Sequence, residues 1–360
     1  MTVARAQFVD PDVSGLYHCI SRCVRRAFLF RDESCHRKVW LRDQLMHLAD
    51  AFAIDVGGYA VLDNHFHTVL RTQPERAAQW SAMQVAERWF RIFPRSIRQW
   101  AMIAAAREAG QHDPADDQAA VRLVAADPRR IETLRLRLSS LSWFMKCLKE
   151  RIARRANRED GCRGHFWEAR FKSLRVLDPG ALLATLLYVD LNVIRAAKAM
   201  TPESSDYTSA QDRIHVRQLF EKQRRRRGRA PSRVASLLRG GERRRELHTM
   251  RDPEDGIWLA PIDAHQHRDG LLEMRLDDYL TALDLSGRML ARGKRGTIPP
   301  GLVPILDPRA SRNRRKGLGG RDPRRGAPAR NRRRRADCPS DGSGAAWCAA
   351  RRRGDEHPPA

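Results

Sequence analysis

Along the first two hundred residues the spacing of apolar positions switches between a period of two and a period near four. "GLYHCISRCV" (15–24) reads as a short strand. "SCHRKVWLRDQLMHLADAF" follows, with Leu41, Leu45, Leu48 and Phe52 at helical spacing. "GGYAVLDNHFHTVL" (57–70) returns to alternation and reads as one strand. From "PERAAQWSAMQVAERWFRIFP" to about Arg137 the pattern is helical and polar, broken at Pro94, Pro114 and Pro128. A stronger helix runs through "LSSLSWFMKCLKERIARRA", and a second good strand lies near Phe171 to Val176. Asp178 and Pro179 make an N-cap and first-turn pair that opens the helix "ALLATLLYVDLNVIRAA".

This order predicts an α+β fold with helices packed on a small sheet. A domain over residues 1–215 would hold a helical insertion at about 75–157. Residues 216–306 read as a basic, turn-rich linker followed by a helical extension, whose apolar stripe is Leu276, Tyr279, Leu280 and Leu283. Beyond 307 the chain is almost devoid of apolar residues, which predicts a disordered Arg-rich tail. The tail's Arg, Ala, Gly and Pro are all encoded by GC-rich codons. A frameshifted gene end therefore stands beside a DNA-binding arm as its origin.

The hydrophobic fraction of 42% supports a real core, whereas 68 Lys and Arg against 43 Asp and Glu leave a net charge of +25. That imbalance favours a polyanionic partner, with nucleic acid first and an anionic membrane surface second. No apolar run is long enough to span a bilayer, and "MTVARAQFVDPDVSG" lacks the apolar core of a secretory signal. Seven cysteines without regular spacing read as reduced thiols in a bacterial cytoplasm, with nucleoid association expected from the charge. Cys19 and Cys23 with His36 fit no standard zinc module.

The histidine strand breaks the apolar pattern. Read as one strand, a face carries Tyr59, Val61, Asp63, His65, His67 and Val69, and the other carries Ala60, Leu62, Asn64, Phe66, Thr68 and Leu70. Two imidazoles on one face can ligate a single metal ion, although His-x-His alone is a short pattern with many accidental matches. The helix after Pro179 offers a complement. Ala181, Ala184, Thr185, Tyr188, Asn192 and Arg195 fall on one side, and Leu182, Leu186, Val189 and Val193 on the other. Tyr188 and Asn192 are one turn apart. A phenol cutting a phosphodiester needs its phosphate polarised, and a divalent ion supplies that as a Lewis acid. His65, His67 and Asn192 would suit Mg2+ or Mn2+. No strong general base is evident; Asp63 and metal-bound water are the candidates.

"GYAVLDNHFHTVL", "WFMKCLKERIARRANRED", "FWEARFKS" and "YVDLNVIRA" together resemble the REP-associated tyrosine transposases, relatives of the insertion-sequence 200-like transposases within the HUH nuclease superfamily. The resemblance runs from about Gly15 to Leu306 and includes "YLTALDLSGRMLARGKRGTIP". It implies a ferredoxin-like antiparallel sheet with packed helices. It also implies His65 and His67 as metal ligands, Asn192 assisting them, and Tyr188 as the nucleophile that forms a 5′-phosphotyrosine on single-stranded DNA bearing a hairpin or palindromic repeat. Val193 departs from the family, where proline usually follows the asparagine.

Arg170, Lys172 and Arg175 around the preceding strand, and Arg195 on the Tyr188 side, are the candidate phosphate contacts. Trp167 and Phe171 read as core, with base stacking as the alternative. The Arg clusters at 224–227, 243–245 and 332–335 would add affinity without reading sequence. The expectation is therefore a metal-dependent, strand-transferring DNA endonuclease acting as monomer or homodimer. A replication initiator or relaxase is the nearest alternative, but no P-loop is present. A decayed, DNA-binding regulator that keeps the fold is the alternative from another class.

Overall fold

The computed structural model describes residues 9–31, 36–107, 117–227, 254, 257–264, 268–289, 293 and 295–306. Its centre is a four-stranded antiparallel sheet of β1 (Gly15–Arg22), β2 (Ile54–Val61), β3 (His65–Thr72) and β4 (Lys172–Val176), in the order β2-β3-β1-β4. The α+β expectation holds at this level. The expected tail beyond 306 and the arginine clusters at 243–245 and 332–335 lie outside the described residues, as does Pro114.

One expectation is corrected. "GGYAVLDNHFHTVL" is a hairpin, not a single strand: Leu62, Asp63 and Asn64 turn the chain between β2 and β3, closed by Leu62 N–H donating to His65 O at 2.8 Å. The turn's own carbonyls are satisfied from outside it, Asp63 O by Phe30 N–H and Asn64 O by Cys23 N–H, and the apolar run on each side had masked the reversal. The reversal changes which residues share a face. Val61 pairs with Phe66 and Tyr59 with Thr68, so Tyr59 and Val61 lie on the Phe66 side, opposite the histidines. A β-bulge between Val56 and Gly58 shifts the alternation of β2.

The Phe66 face is covered by α1 (His36–Ala51) and α7 (Leu141–Glu159). In α1, Leu41, Leu45 and Leu48 are buried at the expected spacing. In α7 the stripe is Leu141, Phe144, Met145, Leu148, Ile152 and Ala156. Tyr17, Cys19, Phe66 and Leu70 meet these helices in one cluster. Between β3 and α7 stand α2 (Pro74–Ala78), α3 (Ala82–Ile92), α4 (Pro94–Arg107), α5 (Asp117–Ala125) and α6 (Pro128–Ser139). Pro94 and Pro128 begin helices, where a missing N–H costs nothing.

The opposite face receives α8 (Pro179–Asp190), which starts where expected. Asp178 Oδ1 accepts from Ala181 N–H at 2.8 Å. Leu182, Leu186 and Val189 are essentially fully buried against Ala60 and Val69. Each such side chain contributes about 1.5–3 kcal/mol of burial. Gly58 admits the close approach, since a Cβ there would sit 3.0 Å from Leu186 Cδ2. The long helix expected after Pro179 is broken at Leu191, and α9 (Asn192–Arg195) continues it.

A boundary expected at 215 falls inside α10 (Ser209–Arg227). The C-terminal extension ends in α11 (Leu276–Arg288), whose Tyr279, Leu280 and Leu283 are fully buried in the same cluster as Leu186. Cys19 and Cys23 are buried thiols, and Cys147 is a partly buried one. Among the described residues no helix is long and apolar enough to cross a membrane.

Candidate functional site

The site forms where β1, β3 and the α8–α9 pair meet. Alternation along β3 sends Phe66 into the core at 0% exposure and turns His65 and His67 to the α8 side. Their rings lie 5.0 Å apart. The kink at Leu191 preserves the expected neighbourhood of Tyr188 and Asn192. Asn192 is buried, with its Nδ2 3.1 Å from His67 Nε2. The Tyr188 ring lies 5.7 Å from that of His67 and the residue is 46% exposed. These four expected residues thus come together.

A fifth was missed. The β1–β3 register pairs Ile20 with His67 and His18 with Val69, so His18 shares the histidine face, diagonally beside His67. His18 Nε2 and His67 Nδ1 are 2.9 Å apart, with the rings edge to edge and their centroids 5.2 Å apart. Burial pushes the His18 imidazole down to about 4. The signal was a polar residue inside the alternation of "GLYHCIS". Strand order, which local pattern does not contain, was needed to use it.

The hydrogen bonds define the imidazoles further. Asn64 Nδ2 donates to Arg26 O at 3.0 Å, which fixes the orientation of that amide. Its Oδ1 therefore faces His65 Nδ1 at 2.6 Å and can only accept. His65 carries its proton on Nδ1 and keeps the lone pair on Nε2. For His67, the Asn192 amide lies against Nε2.

Whether these residues fit a divalent ion can be judged from the same distances. Adjacent ligands of an octahedral ion with bonds of about 2.1 Å lie roughly 3 Å apart. Asn192 and His67 Nε2 have that spacing, and a flip of the amide presents Oδ1 in place of Nδ2. His67 and Asn192 therefore fit, and the His65 ring lies on the same face, its centroid 5.0 Å from that of His67. Among the described residues no three His, Cys, Asp or Glu side chains are placed to hold a metal, so His18, His65 and His67 do not form a triad of ligands.

Asp63 is held by two lysines, with Lys38 Nζ at 2.8 Å from Oδ1 and Lys198 Nζ at 2.8 Å from Oδ2. Burial pushes this carboxyl up, but the hydrogen bonds and charges of Lys198 and Lys38 outweigh it and leave it below its ordinary value. A carboxylate so stabilised is a poor proton acceptor.

The basic residues divide. Arg170 and Lys172 are exposed, and Lys172 lies on the histidine face through its pairing with Ile20. Arg175 is exposed but pairs with Tyr17, on the other face. Arg195 donates to Ser286 O and Met289 O at 2.6 and 2.7 Å, where it satisfies the last carbonyls of α11. Trp167 and Phe171 are buried, and Trp167 packs on Phe30, Phe66 and Phe166.

Behind the site lies a buried polar knot that was also missed. Asp190 accepts from Tyr279 Oη at 2.6 Å, from Ala210 N–H at 3.0 Å and from Ser209 Oγ. Burial raises the Asp190 carboxyl above its ordinary value despite the hydrogen bonds of Ser209 and Tyr279 and the charge of Arg213. Its signal was a carboxylate one turn after Leu186 on the buried stripe.

No protein-family model matches the chain, and no curated protein matches it in sequence. Among solved structures, a REP-associated tyrosine transposase bound to a REP hairpin aligns over 56% of this chain and 79% of its own, at 9% identity and a TM-score of 0.32.

Proposed function

We propose that this protein is a metal-dependent endonuclease and strand-transferase of single-stranded DNA, with Tyr188 as nucleophile and a hairpin-bearing repeat as substrate. The observation that carries the reading is the gathering of two imidazoles, one buried amide and one half-exposed phenol on a single sheet face. The succession β1-α1-β2-β3-α7-β4 around a sheet of order β2-β3-β1-β4 supports the ferredoxin-like, HUH-type part of the reading. The motif resemblance to the REP-associated tyrosine transposases supports the substrate.

His65, His67 and Asn192 would hold Mg2+ or Mn2+, which when bound polarises the scissile phosphate and offsets its developing charge. The chain supplies the rest. The Tyr188 oxygen attacks phosphorus, a new P–O bond forms and the bond to the preceding 3′-oxygen breaks. The phenol proton passes to solvent and the departing 3′-oxygen takes one up, leaving a 5′-phosphotyrosine and a 3′-hydroxyl. Reversal by another 3′-hydroxyl joins the strands. Asp63 is not the base in this scheme, because its carboxylate is committed to Lys38 and Lys198. Lys172, exposed on the histidine face, would neutralise phosphates there, and the exposed Arg170 and Arg175 would add contacts along the strand. Arg195 serves α11 instead.

Incubation with a 3′-labelled hairpin oligonucleotide and Mn2+ tests this. Wild type is expected to form a DNA adduct that survives denaturation, and Tyr188→Phe to form none while binding the oligonucleotide equally. An adduct undiminished in Tyr188→Phe, or none in wild type, refutes the mechanism.

A further inference from the structure

Every metal-ligating imidazole has a second nitrogen, and the partner of that nitrogen decides where the proton sits and which way the ring points. For His65 the partner is Asn64. Its amide is oriented by Arg26 O, so its oxygen takes the Nδ1 proton at 2.6 Å. For His67 the Nδ1 atom faces another imidazole. What stands there is Nε2 of His18, at 2.9 Å.

Two ring nitrogens at that distance share one proton, since two lone pairs repel and two N–H groups collide. Two arrangements follow. If His18 donates, the neutral His67 ring carries its own proton on Nε2, pointed at Asn192, and has no lone pair for a cation there. If His67 donates, Nε2 is bare, accepts from the Asn192 amide as found at 3.1 Å, and can ligate a metal when that amide turns. The second arrangement makes the two histidines equivalent, each with Nδ1–H anchored and Nε2 presented.

We infer that His18 is the positioning residue of the candidate metal centre, accepting the Nδ1 proton of His67 and thereby presenting the Nε2 lone pair beside Asn192. The metal half of this statement rests on the function proposed above, and the proton placement does not. His18 is built into the site rather than lying on its rim. It is 7% exposed, its ring meets that of His67 edge to edge within 21° of one plane, as an N–H···N bond requires, and its centroid is 6.0 Å from that of Tyr188. Its place on β1 couples the central strand to the chemistry on β3. A change of register between the two strands would move the acceptor away from Nδ1.

The test uses full-length protein labelled with 15N-histidine, without metal, and reads the His67 ring nitrogens by NMR. A companion titration follows Mn2+ by electron paramagnetic resonance. In wild type His67 is expected as the Nδ1–H form. His18→Leu keeps the volume but removes the acceptor, and is expected to shift His67 toward Nε2–H and weaken Mn2+ binding by about 10–100-fold. His18→Gln offers a carbonyl oxygen in the same direction and is expected to restore both readouts to within a few-fold of wild type. Nε2–H on His67 in wild type overturns the inference without any variant. So does a folded His18→Leu protein with unchanged tautomer and unchanged Mn2+ affinity. Wild type that takes up no Mn2+ refutes the metal reading, while the ring-nitrogen spectra still decide the role of His18.

Discussion

Asp63 shows how one side chain can rigidify a site without entering its chemistry. It occupies the turn that reverses the chain into His65, and its two oxygens reach Lys38 on α1 and Lys198 just after α9. The turn is thus tied to elements on both faces of the sheet. Because its folded pKa is depressed, its contribution is present above the unfolded value of about 3.9 and is lost as pH falls through the folded value. Asp63→Asn is expected to lower the melting temperature at neutral pH, with the gap to wild type narrowing below about pH 4. Thermal melts of both proteins from neutral pH into acid check this; a gap that stays constant shows that the lysine clamp contributes nothing. At this scale the sequence was readable wherever a residue's role depends on its own strand or helix. His65, His67, Tyr188 and Asn192 were visible from alternation and from one turn of spacing. His18 and Asp190 were not, because their partners are reached only through strand pairing or through a helix almost ninety positions away.

Between elements, the helix bearing Tyr188 is gripped by the C-terminal extension. Tyr279 of α11 donates to Asp190, two residues past the phenol, and Arg195 on α9 binds the final carbonyls of α11. Gly296 presses its backbone so closely on α9 that a Cβ would sit 1.8 Å from Ile194 O. The extension thereby fixes the angle at which α8 and α9 present Tyr188 and Asn192 to β3. Tyr279→Phe keeps the ring but removes one donor from a buried carboxylate, a loss of about 1–3 kcal/mol. The expected result is a lower melting temperature and faster amide exchange in both α8 and α11. Faster exchange confined to α11 would show that the contact does not hold α8. Local patterning revealed both helices and the cap at Asp178, since those signals lie within a few residues. It failed at the β2–β3 turn, where two apolar strands with three turn residues between them have the pattern of one longer strand.

Across the whole molecule, positive charge governs how the chain meets a polyanion. The described basic residues near the site are few, and a large share of the +25 lies in segments such as 307–360, with its run from Arg332 to Arg335. Charge without base-reading groups contributes affinity through counterion release, with a slope of about 0.7 in log K against log salt for each phosphate neutralised on a single strand. The two halves of the protein should then be separable. A chain ending at Leu306 retains α11 and the contacts of Arg195, Tyr279 and Gly296, so its phosphotyrosine adduct with a hairpin oligonucleotide at low salt is expected to match that of the full chain. Its binding should fall less steeply as salt rises, because fewer phosphates are neutralised. Fluorescence anisotropy of both chains with the same labelled hairpin, from about 50 to 200 mM salt, measures the two slopes. Equal slopes would assign the phosphate contacts to the folded part and leave the Arg-rich end without a role in DNA binding. A lost adduct would mean instead that residues beyond 306 take part in the reaction itself.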